Sequence, residues 1–391
     1  MHRSLALALL LCGVMRAETV LVLPFFNHSN NANLDWIGES ISETVHDALA
    51  SEGELVLDRA DRLEGYRRLS LRPGAELTHA SIIKIGESLD ASGVVYGYYE
   101  LLPPETGKDQ SKGSVRITAR IMDLKHTRRS AAFSELGALE DLAALEVHLG
   151  WQALESLRPK DVPPEQEFLK ARPPVRIDAV ESYVRGLLAA TPEQSHRFFT
   201  QAARLDEHYS QPCFQLGKIY WEKKDYKIAA GWLERVTRAD PHYLEAQFFL
   251  GLCVYHIGDF AGAERAFQLV AASVPLNEVY NNLGAAQARQ NHTAAAIASF
   301  QKALEGDNAD PDYHFNMGYT LWRAGQDPAA VESFREVAER NPNDVEATTF
   351  LGYALKRVAA RPGDPRTEAR ERLKTNYDEA AYRQLRAELG K

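Results

Sequence analysis

Cysteine is scarce in this chain. Three stand among 391 residues, at Cys12, Cys213 and Cys253, too few for a disulfide framework. Cys213 and Cys253 fall at unlike positions of a repeating pattern described below, so they read as buried, unpaired small hydrophobes. A surplus of positive charge is also lacking. The formal net charge is -9 and no long basic run occurs, which argues against a nucleic-acid partner, because phosphate binding needs local Lys and Arg. The apolar run from Leu5 to Met15 is too short to cross a bilayer as a helix.

The motifs of catalysis are missing as well. HExxH, GxSxG and the P-loop pattern do not occur. Twelve histidines are scattered, none paired with another His, Cys or carboxylate at ligand spacing. Gly93 and Gly97 interrupt a strand-like stretch, where glycine serves a bulge or a close backbone approach rather than a phosphate cradle. Gly38, near a helix start, reads as a packing glycine. Asp58, Arg59 and Asp61 read as solvated or as a cap for the next helix. The expectation is a non-enzymatic protein with no catalytic residue, cofactor or metal ligand.

What the chain has instead is a repeat. Gly217, Gly251, Gly284, Gly318 and Gly352 are spaced by 34, 33, 34 and 34 residues. Leu216, Leu250, Leu283, Met317 and Leu351 precede them. Twelve residues after the first four stand Ala229, Ala263, Ala296 and Ala330, and sixteen after, Leu233, Phe267, Phe300 and Phe334. At the fifth register Asp364 breaks the pattern. Small residues let two antiparallel helices approach, and Leu and Phe fill the space beside them. Turns such as "HIGDF" and "RAGQDP" join the pair, with Asp327-Pro328 expected as an N-cap followed by proline. Pro241, Pro275 and Pro342 end the units.

This pattern resembles the tetratricopeptide repeat family over about 210–344, with a shorter unit at 178–209. That unit carries capping-box starts at Asp178/Glu181 and Thr191/Gln194. A sixth unit begins at Val345, with a charged second helix expected at about 366–374. A last helix at 378–389, with the stripe Ala381, Leu385 and Leu389, is expected to cap the array.

The resemblance implies a groove lined by the first helix of each unit. Its lining would include Phe214, Lys218, Trp221, Phe248, Leu252, Tyr255, His256, Asn281, Ala285, Arg289, Phe315, Tyr319, Trp322, Arg323 and Tyr353. The family's clamp for a C-terminal carboxylate wants Lys and Asn where Phe214 and Lys218 stand. The aromatic lining therefore favours an extended apolar peptide or a partner helix, with Tyr319 and Trp322 as anchors. The competing reading is that these rings only stack on one another. His256 and His314 could titrate within the groove or stand exposed.

The first 160 residues read differently. Strands are expected at 19–26, 54–60, 92–101, 114–124 and 130–136. Helices are expected from Asp35, over 60–69, 75–89 and 139–157, giving the order βαβααβββα. The fold class is therefore an α/β or α+β domain with a mixed sheet, followed by an all-α superhelix. "VLVLPFFNHS", Gly38 with "SISETVHDAL", "LVLDR", "IGESLDASGVVYGYYE" and "VRITARIMDL" resemble the TolB amino-terminal-like domain, related to flagellar and curli assembly proteins. That resemblance covers about 19–157 and implies a docking or assembly role.

The domain boundaries are then 1–17 for a leader, 18–158 for the sheet domain, 159–175 for a semi-extended proline-rich linker and 176–391 for the repeats. The leader has Arg3, the apolar run and Ala17, the pattern of a secretory signal. A weaker lipoprotein reading would use Cys12. Together these readings imply a periplasmic or outer-membrane-associated scaffold that binds a protein or peptide, with peripheral outer-membrane association. The alternative is an envelope receptor whose sheet domain holds a small molecule or glycan and signals through the repeats. A polar pocket between sheet and helices would favour the receptor, and a filled apolar core would favour docking.

Overall fold

The structure, a computed structural model, describes residues 19–29, 31–102, 113–361 and 363–389. The expected leader, Cys12 included, lies outside these residues.

The chain opens with β1 (Thr19–Val22) and β2 (Phe26–Asn27), broken apart at Pro24, then α1 (Trp36–Ser51) and β3 (Leu55–Val56). Next come α2 (Arg59–Arg68), α3 (His79–Ser88), β4 (Gly93–Leu102), β5 (Ser114–Asp123), β6 (Arg128–Arg129), β7 (Phe133–Ala138) and α4 (Leu142–Leu157). β1 runs parallel to β3 on one side and to β4 on the other. β5 is antiparallel to both β4 and β7, so the sheet is mixed, as expected.

Alternation along β1 sorts its side chains to two faces. Val20 and Val22 join Ile37, Ile41 and Val45 of α1 and Leu149 of α4. Leu21 and Leu23 join Tyr66 of α2 and Ile82 and Ile85 of α3. Apolar side chains thus make two cores, one on each face of the sheet, and a cavity of about 230 Å³ lined by His28, Glu76, His79, Tyr96 and Arg120 lies beside the second. Gly38 and Gly97 are packing glycines. A Cβ on Gly38 would lie 2.1 Å from the Phe25 carbonyl oxygen, and one on Gly97 2.1 Å from that of Thr118.

The linker is not wholly extended. Residues Glu165–Ala171 form α5, because Phe168 docks into the core and is 2% exposed. The Arg172 guanidinium lies 3.8 Å from the centre of its ring.

The repeats follow as helix pairs: α6 (Ile177–Leu187) with α7 (Pro192–Leu205), α8 (Gln211–Glu222) with α9 (Tyr226–Leu233), and α10 (Tyr243–His256) with α11 (Phe260–Ser273). Then come α12 (Asn277–Arg289) with α13 (Thr293–Gly306), α14 (Pro311–Arg323) with α15 (Asp327–Arg340), and α16 (Val345–Leu355) unpaired. A Cβ on Gly251 or Gly284 would fall 2.7 or 2.6 Å from the ring of Phe267 or Phe300, sixteen residues on. On Gly217 it would meet Leu233 at 2.5 Å. The four alanines on the facing helices are fully buried. Gly352 meets nothing within 4 Å, because among the described residues no second helix pairs with α16. Cys213 and Cys253 are buried and free.

Three expectations about helix ends change. Asp327 begins α15 instead of capping it, and Gln326 takes the cap position. Asp178 lies in the first turn of α6, where it pairs with Arg176 at 2.7 Å, and at α7 Thr191 accepts from the Gln194 amide, one half of the box read there. Residues 366–374 are not a helix. Residues 366–369 form turns, with the Thr367 and Glu368 amides bonded to the Asp364 carbonyl, and 370–374 run extended, because groove side chains bind their backbone in place of helical hydrogen bonds.

The last helix, α17 (Glu379–Leu389), does not cap the array. It packs beside β3 of the sheet domain and buries Tyr382 and Ala387, while Leu389 of the expected stripe is exposed. Arg383 pairs with Asp61 at 2.6 Å and Asp58 at 3.6 Å. Those two aspartates also form the capping box of α2.

Ala296→Leu should overpack the α12–α13 pair and cost about 1–3 kcal/mol. Chemical denaturation reads this as a lowered midpoint.

Candidate functional site: a groove that holds its own chain

The groove on the first helices of the repeats is not open. Residues following α16 turn back and lie along it as a strap, 364–378, which starts in turns and is extended over 370–374, before α17. Two asparagines grip the strap's main chain. Asn316 accepts from the Arg372 amide at 2.7 Å and donates to the Arg372 carbonyl at 2.8 Å. Asn282 does the same for Lys374, accepting at 2.8 Å and donating at 2.7 Å. Asn281 adds a second donor to the Arg372 carbonyl at 2.9 Å. All three asparagines are fully buried. Gripping every second residue is what an extended chain requires, since its amides face the same way at that interval.

Side chains of the strap alternate between two surroundings. The carboxylate of Glu371 is fully buried beside Arg323 at 3.3 Å and Arg289 at 3.7 Å, and the Tyr255 hydroxyl donates to it at 3.4 Å. Burial lifts this carboxyl above its ordinary range, and the two guanidiniums and the hydroxyl offset only part of the rise. Leu373 packs on the repeat core. On the other side, Arg372 lies 3.6 Å from the centre of the Phe315 ring and makes two bonds to Asp344, at 2.7 and 3.0 Å. That fork holds the Asp344 carboxyl below its usual range. Lys374 reaches Asp310 and Asp312, both at 2.7 Å.

Rings anchor the returning chain before the strap and at both of its ends. The Tyr319 hydroxyl donates to the Thr367 carbonyl at 2.7 Å, and the Trp322 indole N–H donates to the Val358 carbonyl at 2.8 Å. Tyr377 meets Phe248 edge-on at 5.0 Å.

Of the residues read from the sequence as groove lining, Phe248, Tyr255, Asn281, Arg289, Phe315, Tyr319, Trp322 and Arg323 touch the returning chain. The others do not. Phe214 is buried flat against His242, and Lys218 pairs with Glu245 at 3.1 Å. Trp221 and His256 pack around Tyr226, and Tyr353 stacks on Trp322. His314 is buried, its ring 3.0 Å from the Asn308 carbonyl. The anchors Tyr319 and Trp322 are therefore already covered, and by this chain.

Asn282, Asn316 and the aspartates that hold Arg372 and Lys374 were missed by sequence reasoning. A signal was there. Asn282 and Asn316 are 34 residues apart, as are Arg289 and Arg323. Two adjoining units thus present the same amide and the same cation at the same register, which spacing for helix packing does not demand.

The tetratricopeptide repeat family model matches residues 214–278, 257–313, 281–345 and 315–359. Residues 214–359 are tetratricopeptide repeats. Among solved structures, MamA (41-end) from Desulfovibrio magneticus RS-1 aligns at 25% identity with a TM-score of 0.37, covering 41% of this chain and 92% of that one. YrrB, described as a tetratricopeptide-repeat protein with an unusual peptide-binding site, aligns at 18% identity with a TM-score of 0.41, covering 53% and 97%. No curated protein matches the chain.

Asn282→Ala with Asn316→Ala should free the strap. Each leaves main-chain groups of a buried segment unpaired, at about 1–3 kcal/mol. Trypsin should then cleave after Arg372 or Lys374 about tenfold faster or more than in the unsubstituted chain, read by mass spectrometry of the fragments.

Proposed function

We propose that this protein is a non-enzymatic scaffold whose repeat groove binds an extended segment of a partner polypeptide, and that its own C-terminal strap occupies the groove until a partner displaces it. The observation that carries this reading is the pair of asparagine grips on the strap main chain. Such grips accept any extended polypeptide, while the Glu371 pocket and the aspartates beside it choose among sequences. The partner segment would carry an acidic residue followed by basic residues one and three positions later, matching Glu371, Arg372 and Lys374. This replaces the apolar peptide first expected from the ring-rich lining.

A tethered strap competes at a high effective concentration. A partner must therefore bind elsewhere too, or meet a chain whose strap has been loosened. The release would also be felt at the sheet domain, because α17 ends there.

The setting we propose is the bacterial cell envelope, by periplasmic or peripheral outer-membrane association. The leader pattern of residues 1–17 and the TolB-like resemblance of the sheet domain support it. A cavity of about 230 Å³ beside β4, β5 and α3, lined by His28, Glu76, His79, Tyr96 and Arg120, keeps the receptor reading of this domain as the alternative.

Glu371→Arg in the full chain sets a third cation between Arg289 and Arg323 and should expel the strap. A labelled peptide of residues 364–378 should then bind this variant about tenfold tighter or more than the unsubstituted chain, whose groove is mostly filled. Fluorescence anisotropy measures both. Equal affinities would refute the displacement reading.

A further inference from the structure

The second face of the sheet is only half covered by its helices. Alternation puts Val94, Tyr96 and Tyr98 of β4 on one face with Met122, Arg120 and Thr118 of β5, their direct partners across the ladder. Val94 and Met122 lie in the core with Tyr66 of α2 and Ile85 of α3. Beyond the start of α3 at His79 the same face turns polar, and the cavity of about 230 Å³ lies there. Its apolar wall is Pro24, Phe26, Leu77 and Ile82, with the rings of Tyr96 and Tyr98.

Two guanidiniums border this space. Arg120 lines it half-buried, and its one hydrogen bond among the described residues is a stretched contact, 3.4 Å, from Nη1 to the Ser130 carbonyl. Its Nε and Nη2 are left to donate elsewhere. Two residues before it on the same face, the Thr118 hydroxyl makes no hydrogen bond among the described residues. Arg129 of β6 stands opposite Met122, and its Nη1 lies 3.2 Å from Nε2 of His79. Neither arginine meets a carboxylate among the described residues, whereas Arg116, farther along the face, meets Glu100 at 2.9 Å. The one carboxylate of the wall, Glu76, stands mostly in water, 3.4 Å from the His28 ring. That ring is itself stacked on Tyr98 at 4.5 Å.

A half-buried cation without a counter-charge forgoes hydration for little return, and two of them beside one cleft give it a positive potential. A carboxylate answers both, because its two oxygens match the side-on fork of Nε and Nη2. The rings and aliphatic side chains of the wall suit a flat apolar body behind that carboxylate. We propose that this cavity binds a small aromatic carboxylate, whose oxygens take the Arg120 fork and the Thr118 hydroxyl while its ring lies against Phe26, Tyr96 and Tyr98. The site is separate from the groove and from what the groove binds, and it gives the receptor alternative for the sheet domain a ligand class.

The test uses the full chain with benzoate, phenylacetate and indole-3-acetate as probes, and the neutral amide of each as its control. Calorimetric titration should show one site for at least one carboxylate. Its amide should bind about tenfold more weakly or worse, and Arg120→Gln should weaken the carboxylate by a similar factor. A crystal structure of the unsubstituted chain with that probe should place the carboxylate on Nε and Nη2 of Arg120, a readout that does not depend on how the variant folds. Absence of binding for all three carboxylates, an amide that binds as well as its acid, equal binding by Arg120→Gln, or a probe seated away from Arg120 would overturn the proposal. Peptide binding by the Glu371→Arg chain would be untouched by any of these outcomes.

Discussion

The architecture turns on how one extended segment satisfies its backbone. A chain that leaves a helical array must pair its amides and carbonyls with something, and burial without partners costs more than the hydrogen bonds themselves return. Here Asn282 and Asn316 supply both a donor and an acceptor to alternate residues of the strap. The groove thereby does for residues 371–374 what a neighbouring strand does in a sheet. Once that grip exists, Glu371 is carried into the space between Arg289 and Arg323, and α17 is delivered to the sheet domain.

Three parts of the molecule are joined in consequence. The strap spans the groove from Trp322 to Phe248 and continues into α17, whose Arg383 meets the aspartates that open α2. A seam along α1, α4 and α6 joins the same two halves at another place. Ion pairs dominate the first junction, and apolar packing around the buried carboxylate of Glu146 dominates the second. Exposed pairs such as Arg383–Glu379 contribute little to stability, whereas the enclosed Glu371 cannot lose its cations without leaving a bare charge behind.

The sequence made the repeats plain because their packing is written in residue size. Gly284 under Phe300 and Ala296 between the helices admit no other reading once the 34-residue interval is seen. The sheet was legible from alternation, as in Val20 and Val22 against Leu21 and Leu23. Residues 366–374 were not, since "RTEARERLKT" has the charge pattern of an exposed helix and nothing local says that a groove will hold its backbone. Phe168 shows the same limit within the linker, where a single buried ring decides for a helix among prolines. Eight of the expected groove residues meet the returning chain, but that occupant was not legible, because an occupant from the same chain is a fact of tertiary structure. The recurring Asn282/Asn316 and Arg289/Arg323 pairs were the only trace of it.

Hydrogen–deuterium exchange on the full chain tests the central claim most directly. The Arg372 and Lys374 amides donate to buried asparagines, so they should exchange slowly, like those of the flanking repeat helices. Exchange at the rate of an unstructured peptide at both positions would contradict a groove closed by its own chain.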